Sequence, residues 1–338
     1  MEKILSIVIP TYNMEKYLRR CSDSLLVNDA NMKLLEVIVV NDGSKDSSSQ
    51  IAHEYEKRFP DTFRVIDKEN GNYGSCINRG LKEVTGKYIK VLDADDWFDN
   101  QVFEKFMLFL QNTNTDLIVS DFSIVDENGC VSETGSFSLT PGTECTLNDL
   151  NDTDIKWLWH HAITYKHNLF SRIDYHQTEG ISYTDDEWIF KPMLEVKTIS
   201  YFNKSLYRYL RGREGQTFAP EVLAKSFGQR IKVAISMLDF FVETKDRLND
   251  NNKIFMTSKI KTRLESIYYY CLAKNSSNIL IEKLKEFDQY ILQKSEEIYY
   301  LLDGCKSKIG GCYIKKWRMS NYKKTFSIFL MQIRERIR

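Results

Sequence analysis

Three acids fall within four residues at Asp93, Asp95 and Asp96, directly after the apolar run of "KYIKVL" and just before Trp97. Like charges this close repel one another, and a carboxylate buried without a partner is either costly or driven to protonate. Such a cluster calls for a cation. Spacing alone does not carry that reading, because Asp152-Thr153-Asp154 repeats it in a polar stretch with no strand before it. What separates the two is the element that delivers the first cluster.

Four short runs rich in β-branched or aromatic residues, "LSIVI", "LEVIVV", "FRVI" and "KYIKVL", read as strands, the first two apolar enough to be buried on both faces. Between them lie helix-period segments: Tyr17, Leu18, Cys21 and Leu25 share a face, and Ile51, Tyr55 and Arg58 follow a serine run at 47–49 suited to a cap. Alternating strand and helix predicts an α/β fold with a parallel, doubly wound sheet. Ligands of such sheets gather at the carboxyl ends of the strands. Each strand here ends in a polar cluster: Pro10-Thr11-Tyr12-Asn13, then "NDGS" at 41–44, then 67–72, then the acids. All four must share one edge.

With 338 residues, 42% hydrophobic and 13% aromatic, the chain has material for a large core and for two domains or one with an appendage. Its formal net charge is zero, but residues 306–338 hold ten Lys or Arg against Glu335, leaving net −9 in residues 1–305. No nucleic-acid partner is expected. Seven scattered cysteines without a C-x-x-C pair fit reduced thiols. The start lacks a signal-peptide core, and no segment reaches membrane-span length, so a cytoplasmic or peripheral location is expected. Strands are expected around the turn "DENG" within 117–139 and as a pair within 198–210. Helices are expected over 221–245, 259–274 and 279–302, with asparagine-rich turns at 249–252 and 275–278.

"SIVIPTYN", "VIVVNDGSKDSS", "ENGNYGSCINRGLKEVTGKYIKVLDADDWFD" and "YTDDEW" resemble, in order and spacing, the signatures of family 2 glycosyltransferases, over about residues 4–217. The resemblance implies a GT-A fold, a Rossmann-like nucleotide-sugar-binding sheet. The helix-period stretches beyond it predict a helical C-terminal appendage. The resemblance further implies inversion at the anomeric carbon and a divalent cation, Mg²⁺ or Mn²⁺, on the donor diphosphate. The domains so expected are a catalytic domain over 1–217, with a nucleotide-binding half at 1–100 and an acceptor half at 101–217. A helical region over 218–305 and a basic amphipathic tail over 306–338 follow.

By the same resemblance Pro10, Thr11, Tyr12 and Asn13 close over base and ribose, and Asp42 accepts the imide proton of uracil, a role suited to an acceptor-only side chain. Gly71 and Gly74 let backbone approach a phosphate or sugar. Asn72 stands where the family usually has glycine. Asn78 and Arg79 on the following helix meet the sugar or diphosphate. In Asp93-Ala94-Asp95, Asp95 ligates the metal and Asp93 binds ribose or the metal's water shell; Asp96 supports, and Trp97 packs. The catalytic base is Asp185 if Trp188 fills the family's aromatic position, and Asp186 if Ile189 does; Thr184 replaces the usual first acid. Arg208, Arg211 and Arg213, with Gln216, form a candidate diphosphate clamp. Trp157, Trp159, His160 and His161 are aromatic enough for a sugar-stacking wall. His161 reads as packing, or alternatively as a group reaching metal or acceptor.

The expected activity is transfer of a hexose or N-acetylhexosamine from a nucleotide sugar, UDP-linked, to an oligosaccharide or lipid-linked acceptor in bacterial polysaccharide synthesis. A sugar-1-phosphate nucleotidyltransferase would want a glycine-rich, basic loop after the first strand, which Pro10-Thr11-Tyr12-Asn13 is not. A non-catalytic nucleotide-sugar-binding scaffold is the other rival. In the tail, Phe326, Phe329, Leu330, Ile333 and Ile337 form a helical stripe beside Lys323, Lys324, Arg334, Arg336 and Arg338, with Tyr313, Trp317 and Tyr322 as interface-seeking aromatics. That pattern predicts contact with the inner face of an anionic membrane. Packing on the enzyme's own body is the alternative. Oligomeric state is open.

Overall fold

The structure, a computed structural model, describes residues 2–213 and 226–337. It divides into two compact units, Met1–Ser226 and Phe227–Arg338. In the first, the strands are β1 (Leu5–Thr11), β2 (Leu35–Asn41), β3 (Phe63–Asp67), β4 (Tyr88–Val91), β5 (Trp97–Phe98), β6 (Leu117–Val125), β7 (Val131–Gly135), β8 (Ile163–Lys166) and β9 (Ile199–Leu210). Together they make one nine-stranded sheet in the order β3-β2-β1-β4-β8-β6-β9-β5, with β7 on β6.

The strands β1 to β4 run parallel, as their apolar runs predict. Ile7, Val8, Ile9 and the run 37–40 are fully buried, as strands covered on both faces require. Beyond β4 the sheet becomes mixed. Strand β8 is antiparallel to both β4 and β6, whereas β9 is parallel to β6. The N-terminal end of β8 and the C-terminal end of β9 therefore lie on the same edge as the ends of β1 to β4.

One expectation changes here. The region 198–210 is a single twelve-residue strand rather than a pair, because its polar break at Asn203 and Lys204 is absorbed as a register shift against Ser120, Asp121 and Phe122. The hairpin around "DENG" forms as β6 and β7. Asp154 of the comparison Asp-x-Asp is a capping residue: its carboxylate accepts from the Asn151 and Ser138 backbone N–H groups.

The second unit is helical: Phe227–Thr244, Asp250–Tyr269 with a π-turn over Tyr270–Lys274, Asn278–Lys294, Glu296–Leu302, Tyr313–Met319 and Phe326–Ile337. The expected turn at 249–252 is instead a helix start, where the Asn249 side chain accepts from the Asn252 N–H. The helix expected over 279–302 is broken at Ser295, which caps the second piece through Ile298 N–H. Residues 306–338 belong to this unit.

At its centre Asp288, fully buried, meets Arg318 at 2.7 Å and accepts from the Tyr268 hydroxyl. Such a buried pair is tolerable only because its hydrogen bonds are filled. Tyr313 and Trp317 are buried, so these two are core residues, not interface-seeking ones, while Tyr322 is half-buried with its hydroxyl on Asp288. The last helix buries Ile328, Met331 and Gln332 and leaves Phe326, Phe329 and Ile333 exposed, with Leu330 between. Arg338 and the Ile337 side chain lie outside the described residues, as does Gln216.

Candidate active site

The three acids do not face one another as bare charges. Asp93 accepts from the Tyr73 hydroxyl at 3.0 Å and pairs with His160 Nε2 at 3.1 Å. Asp95 accepts from Arg213 Nε at 2.5 Å. Asp96, 1% exposed, takes the Tyr207 hydroxyl and the Leu210 N–H, both at 2.7 Å, and so ties the acid turn to β9. Tyr207 in turn accepts from the Asp93 N–H.

Burial works to raise Asp93, but His160, Tyr73 and Arg213 hold it below the usual carboxylate range. Burial and the Asp93 charge raise Asp95 against the pull of Arg213. Asp96 is pushed well up by burial and its two acidic neighbours, which favours its neutral form. The repulsion evident in the sequence is thus relieved by an imidazole and a guanidinium, and Asp96 is pushed toward its neutral form.

Histidines 160 and 161 form a short 3₁₀ turn with Ala162 just before β8, with ring centroids 3.8 Å apart. The His160 ring lies between two carboxylates: its Nδ1 is 4.0 Å from Asp185. Burial lowers the His160 pKa less than Asp93 and Asp185 raise it, so the net shift is upward. His161 is held well below its usual range by burial and by His160, Lys90 and Arg211. One ligand atom each from Asp93, His160 and His161 lies within 4.8 Å of the others, and the same holds for Asp93, Asp95 and Asp96. Carboxylate oxygens with neutral imidazole nitrogens are a donor set that suits a divalent cation.

Beneath this turn Lys90 of β4 is fully buried and donates to the backbone carbonyls of His161 at 2.8 Å and Ile163 at 3.0 Å. Burial lowers its pKa from 10.5 to about 7. The unfolded chain therefore binds a proton that the folded chain has released between these values, and stability must rise with pH across that window. In urea titrations followed by circular dichroism, unfolding free energy is expected to gain up to about 1.4 kcal/mol per pH unit from this group above pH 7. Lys90→Met should lose that slope. An identical slope in the variant would show that Lys90 does not titrate there.

On the β2 side, Asp42 is 2% exposed, and its Oδ1 accepts from Lys68 Nζ at 2.6 Å and the Gly71 N–H at 2.9 Å. The Pro10-Thr11-Tyr12-Asn13 turn is clipped to the neighbouring loop: Asn13 N–H donates to Ser44 Oγ and Asn13 Oδ1 accepts from the Lys45 N–H. Thr11 is buried, whereas Tyr12 is 46% exposed beside it. Asn72, in the usual glycine position, takes φ +66°, which asparagine tolerates better than most residues. Gly74 has a different reason from the one expected: a Cβ there would lie 2.1 Å from the Thr178 carbonyl oxygen, so the close approach is by the chain's own backbone.

The remaining candidates separate into those near the acids and those held elsewhere. Asn78 binds the Gln177 backbone and Glu179, and Arg79 pairs with Glu83. Arg208 bonds Asp99 and Ser123, bracing β9, while Arg211 lies over Tyr209 and Trp159. Ala94 is buried in the acid turn. Asp185 and Asp186 open the helix Asp185–Phe190, anchored by buried Trp188 stacked on Phe170. Trp157, Trp159, Phe122 and His161 form an aromatic cluster beside the acids. Sequence reasoning missed Tyr73, Tyr207, Lys68 and Lys90. Only the lysines left a signal, as charges inside or just after apolar strands.

The model of the family described as "Glycosyl transferase family 2" matches residues 6–171. Through this region the chain belongs to glycosyl transferase family 2. Among curated family members, it is 28% identical over 227 residues to an uncharacterized glycosyltransferase, EpsJ, of Bacillus subtilis, covering 65% of this chain and 64% of that one. To the minor teichoic acid biosynthesis protein GgaB of B. subtilis it is 29% identical over 172 residues, 50% of this chain and 18% of GgaB. The chain thus spans less than two thirds of these relatives. The crystal structure of S. aureus TarS 1-349 in complex with UDP-GlcNAc superposes with TM-score 0.72 at 22% identity, covering 94% of this chain and 89% of that one. The fold is of this GT-A type, with its α/β sheet and helical C-terminal region. No helix among the described residues is long and apolar enough to cross a membrane.

Proposed function

We propose that this chain is a metal-dependent, inverting glycosyltransferase that moves a hexose or N-acetylhexosamine from a UDP-sugar to a hydroxyl of an oligosaccharide or lipid-linked acceptor. One observation carries the reading: a single sheet edge gathers the braced Asp42, the acid turn with Arg213, and Asp185 beside His160. TarS has been solved with UDP-GlcNAc and with UDP, which supports a uridine nucleotide as donor. GgaB's teichoic acid role supports a cell-envelope polymer as product class.

In this reading Asp42, oriented by Lys68 and Gly71, accepts the N–H of the base, and the turn at 10–13 flanks base and ribose. A divalent cation held by Asp95 and Asp93 would supply positive charge to the departing diphosphate. Arg213, and Arg211 from above the aromatic cluster, add guanidinium donors for the same phosphates. Asp185 takes the proton from the acceptor hydroxyl as it attacks opposite the leaving group. Trp157 and Trp159 offer apolar faces to the acceptor sugar.

A panel of UDP-, GDP- and dTDP-sugars, assayed for transfer or slow hydrolysis with Mn²⁺, Mg²⁺ and EDTA, tests this. UDP release that needs a divalent ion is expected. Pyrophosphate formation from a sugar 1-phosphate and a nucleoside triphosphate would select a nucleotidyltransferase instead, and binding without turnover a scaffold.

The exposed stripe Phe326, Phe329 and Ile333, together with the basic residues of 306–338 other than the buried Arg318, supports docking of the second unit on an anionic membrane. Each Lys or Arg near such a surface contributes on the order of 1 kcal/mol, so a handful is enough for reversible binding. The protein is expected to float with phosphatidylglycerol vesicles at low salt and to be released at high salt. Phe326→Glu combined with Phe329→Glu should abolish flotation without disturbing the buried face of the helix. Equal flotation of both proteins would remove the membrane from this reading.

A further inference from the structure

His161 is 4% exposed, yet neither of its ring nitrogens has a hydrogen-bond partner among the described residues. A buried polar group left in that state costs about 1–3 kcal/mol, so native structures rarely keep one without a use for it. The ring is also firmly placed. It stacks on Tyr209 at 4.3 Å, meets Tyr207 edge-on at 4.8 Å, and sits on a turn whose carbonyls Lys90 holds from below. A buried lysine is an expensive way to fix a turn that only fills space.

The unpartnered ring faces the acid turn, with Nε2 3.9 Å from Asp96 Oδ2. Asp96 is already engaged by Tyr207 and Leu210, and Asp95 by Arg213. Asp93 is the acid that pairs with a histidine, His160, at 3.1 Å, and the ligand atoms of Asp93, His160 and His161 lie within 4.8 Å of one another. Ligands around an ion with bonds of roughly 2.1 Å stand about 3 Å apart. Asp93 and His160 already stand at about that spacing, and the His161 ligand atom lies within 4.8 Å of theirs.

We propose that His160 and His161, both outside the Asp-x-Asp motif, join Asp93 as direct ligands of the divalent cation, making a mixed imidazole and carboxylate site that prefers Mn²⁺ or another first-row transition ion over Mg²⁺. Imidazole nitrogen favours transition ions, whereas Mg²⁺ keeps oxygen ligands and its waters. The inference rests on the metal-dependent reading above but makes a separate claim, about which atoms touch the ion. The sequence offers His161 only as an alternative to packing and does not point to His160 as a ligand at all.

The test uses the full chain with UDP and Mn²⁺. Pulsed electron paramagnetic resonance is expected to show ¹⁴N couplings from directly bound imidazole, and Mn²⁺ should displace Mg²⁺ in competition titrations. His161→Phe, which keeps the stack on Tyr209, should lose part of the nitrogen coupling and bind Mn²⁺ at least about tenfold more weakly, with little change for Mg²⁺. If that variant does not fold, the nitrogen couplings of the wild type still decide. Mn²⁺ bound through oxygen alone, with transfer still metal-dependent, would overturn the histidine ligands and leave the proposed reaction standing. Absence of Mn²⁺ binding together with full transfer in EDTA would overturn both.

Discussion

Asp95→Ala is expected to reduce glycosyl transfer by on the order of 10³-fold or more, because a cation and its carboxylate supply several kcal/mol of charge stabilisation to a departing diphosphate. The fold should survive. Asp95 sits beside Asp93 in a turn where burial and that neighbour already disfavour its charge, so its removal relieves a strain as well as breaking the pair with Arg213. The thermal midpoint is expected to move by no more than about 3 °C, the scale of a 1 kcal/mol change in a domain of this size. The decisive measurement is transfer by wild type and variant, each with Mn²⁺ and with excess EDTA. A wild type indifferent to EDTA would mean that Arg213 alone neutralises the site.

Asp185→Asn is expected to lower kcat by about 10²- to 10⁴-fold, the usual worth of a positioned general base, with donor KM nearly unchanged. The sequence leaves two frames for this base, Asp185 and Asp186. Geometry supports the first, since Asp185 approaches His160 and through it the acid turn. Asp186→Asn should stay within a few-fold of wild type. Circular dichroism of both variants guards against a packing effect, because both acids lie at the start of the helix that seats Trp188. A crippled Asp186→Asn beside a healthy Asp185→Asn would move the base by one residue.

How much of this was legible beforehand depended on how local each signal was. The parallel half of the sheet could be read because buried strands declare themselves as apolar runs a few residues long. The reach of Asp42, Asp93 and Asp95 to one edge followed from strand direction alone. Asn72 reads in the sequence only as a departure from the family's glycine, and its left-handed backbone, φ +66°, emerges from the structure. The tail shows the limit of such reading: its periodicity identified a helix, but the stripe it exposed is not the face it buries, since Ile328 and Met331 point inward. Aromatic residues taken for surface anchors, Tyr313 and Trp317, proved to be core. Hydropathy records that a side chain can be buried, not which neighbour will bury it.

By itself, then, the sequence determined the α/β order of the first hundred residues, the family, and the chemical types present at the strand ends, because all of these depend on short-range pattern. The tertiary structure alone decided who stands beside whom. His160 and Asp93 are 67 positions apart, Arg213 and Asp95 118, and Tyr207 and Asp96 111. These pairs meet because β8 enters the sheet antiparallel to β4 while β9 runs parallel to β6. Strand direction in the mixed half is set by which faces can be covered together, a property of the whole packed sheet that no window along the chain contains.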